Sequence, residues 1–250
     1  MKLYTPPEVI KRFTALIYGQ TGTEKTYSIR TFPNPLVLDF EDRLACLHGL
    51  PYIKVLHPES YPEVLSVLSD PNMYIKRGVT QGAWIDDKWD TFVIDSLTAG
   101  AAMFLTSTAE AFGKSPDPSL ETAIISDKWD VRRNYNLSTS RVRNVVRCVR
   151  DMTLTLNKHL VVICHEGIEK EEISGRLEGG PMLPGKLPFE LPHLFDFVFR
   201  YETTMINGEP KARVQTKSIG VYRGKDSTGT LDLYEPPDFS VWWAKITKGV

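Results

Sequence analysis

The sequence has few cysteines, and their number and spacing exclude a disulfide framework. Cys46, Cys148 and Cys164 are scattered over 250 residues without C-x-x-C spacing, whereas disulfide-stabilised folds carry an even number of closely spaced cysteines. The nearest approach to a metal pair is Cys46-x-His48, which falls short of the about four ligands that a zinc site needs. We therefore interpret the three cysteines as small buried apolar residues.

Long apolar runs are also missing. No stretch approaches the ~20 apolar residues of a transmembrane helix, and the N-terminal residues MKLYTPPEVIKRF lack the apolar core of a signal peptide. We therefore expect a cytoplasmic protein with no membrane partner. Charge of one sign is not in excess, because the net charge is −1 at pH 7, so any nucleic-acid contact must be local.

Apolar runs that end in glycine or in a polar residue predict buried strands, and these alternate with predicted helices. The strands are expected at Phe13–Tyr18, Pro35–Glu41, Thr91–Asp95 and His159–His165, with an alternating strand at Phe195–Tyr201. The helices are expected over 58–70, over 97–113 and from about Asp127, with a Gly/Pro-rich loop over 167–190 and hairpins and turns in the tail. This pattern is typical of an α/β fold with a mostly parallel central sheet and helices on both faces.

We expect one domain over 1–250, because no flexible or charged linker divides the chain. Its core would span about 10–202, and a C-terminal β-hairpin extension would span about 203–250. In the long helix, residues at the i, i+3, i+4, i+7 spacing of one buried face are Val142, Val145, Val146, Val149, Thr153 and Leu156.

The segment YGQTGTEKTYS resembles the phosphate-binding pattern G-x-x-x-x-G-K-[ST], with Gly19, Lys25 and Thr26 at the required positions. In such a turn between a strand and a helix, backbone N–H groups bind phosphate oxygens. Lys25 would bind the outer phosphates, and the Thr26 hydroxyl would bind Mg²⁺. A short helix is expected from Lys25. The residues expected to contact the nucleotide are Gly19, Gln20, Thr21, Gly22, Thr23, Glu24, Lys25, Thr26 and Tyr27.

Glu24 replaces the second glycine of this pattern. A carboxylate about 4 Å from a phosphate charge costs roughly 4 kcal/mol at an effective dielectric near 20, which is about a thousandfold in affinity. Two alternatives remove most of this penalty. The side chain points outward to solvent, where the repulsion falls to about 1 kcal/mol, or it pairs with a basic residue of a neighbouring subunit. The sequence leaves both open.

Four polar positions follow predicted parallel strands: Gly19, Glu41, Asp95 and His165. Ligands of such sheets bind at the carboxyl ends of the strands, so we expect these residues to converge. Asp95, in TFVIDS, would hold Mg²⁺ directly or through water. The alternative is that Asp95 or Ser96 only caps the helix that follows.

In the order and spacing of its motifs, the chain resembles RecA-like ATPases encoded by bacteriophages, the AAA-type nucleotide-binding proteins linked to DNA recombination and single-strand annealing. The resemblance covers most of the chain, through LIYGQTGTEKT, LVLDFED, TFVIDSLT, LVVICHE, LPGKLPFELPHLFDFVFR and VQTKSIGVYRGKDSTG. It implies a RecA-like P-loop NTPase fold in which the His165 strand lies between the phosphate-loop strand and the Asp95 strand. The implied cofactors are ATP and Mg²⁺.

The resemblance also implies roles for single residues. Glu41 would polarise the attacking water, Lys25 would bind the phosphates during catalysis, and His165 would sense the terminal phosphate. The bland alternatives are a carboxylate paired at a strand end for Glu41 and a satisfied histidine for His165. Lys225 lies where relatives carry a K-D-R triplet that reaches the neighbouring subunit's nucleotide, but this chain has Ser227 in place of the arginine.

Arg223 is a candidate to replace the missing arginine in this contact with the neighbouring subunit. The alternative for Lys225 is a solvated residue in a turn. The implied partners are further copies of the chain, with nucleotide at subunit interfaces, and single-stranded DNA or a single-strand DNA-binding protein, in the cytoplasm of the bacterial host. The candidate DNA surface is a helix face carrying Arg143, Arg147 and Arg150. That face is alternatively a contact to an acidic subunit or simply solvated.

The residues and the resemblance together imply two candidate functions. The first is a phage RecA-like protein that binds ATP and acts as a DNA-dependent ATPase in recombination or single-strand annealing. The second is a degenerate phosphate-loop protein that does not hydrolyse ATP efficiently and serves as a structural or DNA-scaffold subunit. Glu24 and Ser227 favour the second. A kinase of a small substrate is disfavoured, because no acceptor pocket or lid is visible in the sequence.

Overall fold

A computed structural model describes residues 10–69, 88–112, 131–170, 175 and 177–248. Most of the predicted connection at 71–90 and the predicted start of the long helix at Asp127 lie outside these residues. The described strands are β1 (Thr14–Gly19), β2 (Pro35–Asp39), β3 (Lys54–Leu56), β4 (Thr91–Asp95), β5 (His159–Lys170), β6 (Leu177–Pro181), β7 (Phe197–Ile206), β8 (Glu209–Gln215), β9 (Lys225–Asp226) and β10 (Tyr234–Glu235).

The described α-helices are α1 (Tyr61–Ser69), α2 (Leu97–Phe112), α3 (Val131–Leu156), α4 (Leu187–Glu190) and α5 (Phe239–Lys248). Short 3-10 helices occupy Tyr27–Thr31, Ala45–Leu47 and Leu191–Leu194. None of the described helices is long and apolar enough to cross a membrane.

The sheet has the order β10-β8-β7-β1-β5-β4-β2-β3. The strands from β7 to β3 along this path are parallel to their neighbours. Antiparallel pairing adds β8 and β9 to β7, β10 to β8 and β6 to β5. The predicted α/β fold with a mostly parallel sheet is therefore confirmed. As the resemblance implies, β5 lies between β1 and β4, which places the loops after these strands side by side.

Helices cover both faces of the sheet, as predicted, but they do so unequally. On one face α1, α2 and α3 bury a core that includes Phe92, Ile94 and Phe104. On the other face α5 and the 3-10 helix Tyr27–Thr31 enclose an aromatic cluster, in which the rings of Phe13 and Trp242 are stacked 6.0 Å apart. The second face therefore relies on large aromatic side chains where helices are short.

The predicted buried stripe of α3 is largely correct. Val142, Val145, Val146, Val149 and Thr153 are buried, and this burial fixes α3 against α2 and the sheet. Leu156 is 47 % exposed and is the last residue of the helix. The cysteines were predicted less well, since only Cys164 is buried, while Cys46 is half-buried and Cys148 is exposed.

Two local predictions were wrong. The helix expected from Lys25 is instead a 3-10 helix that begins at Tyr27. Part of the expected loop at 167–190 is a hairpin, in which β5 continues to Lys170 and pairs with β6. Gly179 and Gly180 suggested a loop, but a Cβ at Gly179 would lie 2.4 Å from the Tyr222 ring, so the strand requires glycine there.

The C-terminal extension is also not made of hairpins and turns alone, because it ends in helix α5. Phe239, Trp242 and Ile246 are buried on one face of this helix, and the Asp238 carboxylate accepts a hydrogen bond from the Ser240 backbone N–H at 2.8 Å. The sequence thus contained two signals that predict this helix: apolar residues at helical spacing and an aspartate at the helix start.

Candidate functional site

The phosphate-binding loop begins where β1 ends, at Gly19. A Cβ at Gly19 would lie 2.4 Å from the backbone oxygen of Tyr201 on β7, so only glycine fits. The loop is closed by short bonds to its own carbonyls. Thr23 Oγ1 donates to the Gln20 carbonyl at 2.8 Å, and Lys25 Nζ donates to the carbonyls of Gly19 at 2.8 Å and Gln20 at 2.7 Å.

Lys25 therefore lies folded back over the turn, with only 9 % of its surface exposed. Burial lowers its pKa, while the carboxylates of Asp95 and Glu41 act in the opposite direction. The ammonium group is bound to neutral carbonyls and not to an acid. Exchange of these carbonyls for phosphate oxygens would replace neutral acceptors with charged ones, which strengthens each bond.

Glu24 is exposed, and its backbone has φ +66°. This left-handed conformation favours glycine, which explains why the pattern has glycine at this position. The side chain is exposed to solvent, as the first of the two alternatives requires, and pairing with a neighbouring subunit stays a prediction. Lys25 is bound to the loop's own carbonyls. The Glu24 carboxylate therefore does not take the place of a phosphate group on Lys25.

The loop and the end of β4 meet through a hydrogen bond between Thr26 and Asp95. Thr26 Oγ1 donates to Asp95 Oδ2 at 2.7 Å. Burial raises the pKa of Asp95 to about 6, although the bond from Thr26 lowers it. A hydroxyl and a carboxylate from two separate motifs are thus held at one point. Both are the oxygen donors that Mg²⁺ prefers.

Helix α2 is capped by Ser96 and not by Asp95, the other residue considered for this role. Ser96 Oγ accepts a hydrogen bond from the backbone N–H of Ala99 at 3.2 Å, which caps the start of α2. The peptide bond between Asp95 and Ser96 is cis. The Asp95 carboxylate accepts its hydrogen bond from Thr26 instead.

Glu41 and His165 are brought together beside this pair. Strand β2 ends at Asp39, and the Asp39 carboxylate accepts a hydrogen bond from the Glu41 backbone N–H at 3.0 Å. Glu41 therefore lies in the turn beyond the strand, not within it as predicted. Its Oε1 is 2.7 Å from His165 Nε2 and also accepts a hydrogen bond from Ser96 Oγ.

The environment of Glu41 keeps it ionised. Partial burial raises its pKa, but the bonds from Ser96 and His165 outweigh burial and lower the pKa overall. The same contact means that Glu41 is paired at a strand end and that His165 is satisfied, as the bland alternatives require. The roles of Glu41 and His165 in catalysis stay predictions.

A model of AAA domains matches residues 11–228 of the chain. The chain belongs to the AAA_24 family of AAA domains. Together with the sheet order and the loop geometry, this membership makes the protein a RecA-like P-loop domain of the ATPase type. No curated protein matches the chain in sequence.

Two solved structures resemble this AAA domain. A KaiC-like protein from Pyrococcus horikoshii OT3 is 14 % identical, with a TM-score of 0.42 over 81 % of this chain and 76 % of that chain. The flagellar accessory protein FlaH from Methanocaldococcus jannaschii is 9 % identical, with a TM-score of 0.44 over 89 % of this chain and 83 % of that chain. Likeness of this degree tells nothing of what the AAA domain binds.

The residues expected to reach a neighbouring subunit are engaged within this AAA domain. Arg223 forms an ion pair with Glu178, and its guanidinium carbon lies 4.4 Å from the Phe189 ring centroid. Lys225 Nζ donates to the Phe195 carbonyl at 2.7 Å. Lys225 is therefore half-buried and bonded, whereas the alternative was a solvated turn. Whether either residue acts between subunits stays a prediction.

The candidate DNA surface on α3 carries less free charge than its sequence suggests. Arg143 donates two hydrogen bonds to Glu190 of α4, at 2.9 and 2.8 Å. Arg150 lies 3.7 Å from Asp151, and Arg147 is exposed. DNA binding by this surface stays a prediction.

A buried ion pair lies next to the phosphate-binding loop and was not predicted. Glu166 Oε2 accepts a hydrogen bond from Arg200 Nε at 2.7 Å, and Glu166 Oε1 accepts one from Gln20 Nε2 at 3.3 Å. The side chains of Glu166 and Arg200 are only 3 % and 11 % exposed. The available signal was a charged residue at the end of each of the two apolar runs that became β5 and β7, the strands that flank β1.

Proposed function

We propose that this AAA domain binds ATP with Mg²⁺ and hydrolyses it, as a DNA-dependent ATPase in phage recombination or single-strand annealing within the host cytoplasm. The observation that supports the nucleotide site best is the 2.7 Å hydrogen bond from Thr26 to Asp95. It joins the residue after the loop lysine to the acid that ends β4. These are the two positions from which P-loop ATPases bind the metal.

The donor set fits Mg²⁺ and a triphosphate. Thr26 and Asp95 would hold the ion, Lys25 would bind the outer phosphates, and the loop N–H groups would bind the remaining phosphate oxygens. When bound, Mg²⁺ neutralises charge that develops on the phosphate oxygens. The Glu24 side chain is exposed to solvent, and Lys25 would exchange its bonds to the loop carbonyls for bonds to phosphate oxygens.

Glu41 is the residue that we assign to water activation. Its carboxylate is ionised, because its pKa is lowered overall, so it can accept a proton from the attacking water. His165 and Ser96 both contact Oε1 of this carboxylate, which fixes its direction. His165 also ties Glu41 to β5, whose continuation is the hairpin with β6. A change at the terminal phosphate can thereby reach that hairpin.

The link to DNA and to assembly is supported by the resemblance to phage RecA-like proteins and by the exposed Arg147. The second candidate is a structural or DNA-scaffold subunit that does not hydrolyse ATP. Glu24 in a backbone conformation suited to glycine favours this candidate.

Phosphate release at saturating ATP separates the two candidates. For the ATPase, we expect turnover by the native chain, loss of turnover but retained ATP binding in Glu41→Gln, and loss of binding in Lys25→Ala. Glu209→Gln is the matched control, since its side chain is 75 % exposed on β8. No turnover by the native chain, in the presence or absence of single-stranded DNA, would establish the second candidate.

DNA binding is tested separately by fluorescence anisotropy with labelled single-stranded DNA over a salt series. We expect affinity that falls with rising salt and that weakens in Arg147→Ala. No affinity at low ionic strength, with and without ATP, would remove the role in recombination from the isolated chain and leave the ATPase proposal intact.

A further inference from the structure

We propose that Tyr27 is a stacking platform for the base of the bound nucleotide, held in place by Arg30. This inference rests on the proposed function, because it places the base next to a triphosphate in the loop. It assigns the nucleoside part of the ligand, which the loop motif leaves open.

The position of Tyr27 along the loop is the first reason. Lys25 would bind the outer phosphates, and Thr26 would hold the metal ion. The residue that follows therefore lies toward the inner end of the triphosphate, where the nucleoside is attached. Tyr27 also begins the 3-10 helix Tyr27–Thr31, so its backbone is held by a regular element.

The exposure of Tyr27 is the second reason. The next two residues, Ser28 and Ile29, are buried at 1 % and 0 % exposure, but Tyr27 is 45 % exposed. An aromatic ring this accessible next to a phosphate site has an open surface on which a flat base can stack.

The support behind the ring is the third reason. The guanidinium carbon of Arg30 lies over the Tyr27 ring, 3.8 Å from its centroid. Arg30 is itself anchored, because its Nη2 donates to the Cys46 carbonyl. The Tyr52 hydroxyl also donates to the Arg30 carbonyl at 3.0 Å. Arg30 thus covers one ring face and limits rotation of the ring, and the opposite face is left for the ligand.

A comparison of ATP with inorganic tripolyphosphate tests this assignment. Tripolyphosphate has the phosphates without the base, so it reports on the loop alone. In Tyr27→Ala we expect ATP affinity to fall roughly tenfold, which is typical of one base–aromatic stack. Tripolyphosphate affinity should stay within about twofold of native. Tyr27→Phe keeps the ring and should retain nearly native ATP affinity.

Tyr234→Ala is the matched control. Tyr234 is 36 % exposed and has the Arg213 guanidinium 3.7 Å from its ring centroid, but it lies on the edge strand β10, which β8 and β7 separate from β1. This variant should bind ATP and tripolyphosphate as the native chain does.

Two results would overturn the platform. The first is unchanged ATP affinity in Tyr27→Ala. The second is an equal loss for ATP and tripolyphosphate, which would show that Tyr27 only supports the loop. In both cases binding of tripolyphosphate by the native chain would leave the proposed nucleotide site standing. A native chain that binds neither ligand would overturn the proposed function, and this inference with it.

Discussion

Glu24→Gly measures how much the acid in the phosphate-binding loop weakens ATP binding. The Glu24 side chain is exposed, so the dielectric constant of water applies to its repulsion of a phosphate charge. That repulsion is about 1 kcal/mol or less at 4 Å. Removal of the charge should therefore tighten ATP binding by about fivefold at most. Glycine also suits the φ of +66° at this position. Removal of the side chain should relieve about 1–2 kcal/mol of backbone strain in the folded state. The larger conformational entropy of glycine in the unfolded state partly offsets this gain in stability.

The assay is an equilibrium titration with ATP at low and high salt, for the native chain, Glu24→Gly and Glu24→Gln. Glutamine keeps the Cβ and the backbone cost but removes the charge. It should therefore recover most of the gain in affinity. The gain should shrink at high salt, because exposed charges are screened.

A gain of a hundredfold or more in both variants would refute this reasoning. It would mean that the carboxylate lies among the phosphates, where the effective dielectric is low. The native chain would then be the scaffold subunit and not the ATPase.

Three further predictions concern stability. Burial lowers the pKa of His159 to about 4, so the unfolded state takes up the proton first and stability is lost as pH falls from about 6.5 to 4. Each pKa unit corresponds to about 1.4 kcal/mol. In urea unfolding, the native chain should therefore lose about 3 kcal/mol more free energy of unfolding between pH 7 and pH 4 than His159→Gln does. Equal pH dependence of the two chains would contradict this prediction. Gly19→Ala places a Cβ 2.4 Å from the Tyr201 oxygen and should cost about 1–3 kcal/mol and weaken ATP binding; native stability and affinity would show that the strands move apart freely. Trp242→Ala empties a fully buried position and should cost about 3–5 kcal/mol in urea unfolding, more than the half-buried control Trp243→Ala, and equal costs would argue against the aromatic core.

The central strands were predictable from sequence because strands buried on both faces are continuous apolar runs. The runs that became β1 and β4 were placed within one residue. The convergence of Gly19, Glu41, Asp95 and His165 was predicted by the same logic, since the carboxyl ends of parallel strands meet at one edge of the sheet. Local pattern and topology were sufficient there.

The features that the sequence did not reveal depend on distant contacts. Gly179 was read as a loop residue because its need for glycine comes from the Tyr222 ring, 43 residues further along the chain. The pairing of Glu166 with Arg200 joins β5 to β7 across β1. No spacing within one segment indicates that contact.

The direction of the Glu24 side chain also lay beyond the sequence. The sequence left the position of the carboxylate open, and its exposure to solvent is seen only in the folded turn. The φ of +66° is a property of the folded turn.

The central claim is that the loop after β1 binds a triphosphate with its lysine and its metal pair. Calorimetric titration of the native chain with ATP, in Mg²⁺ and in EDTA, tests it most directly, with Lys25→Ala beside it. The account predicts saturable binding at one site that is weaker in EDTA and absent in Lys25→Ala. No heat of binding from the native chain at low salt, or binding that Lys25→Ala leaves intact, would contradict it.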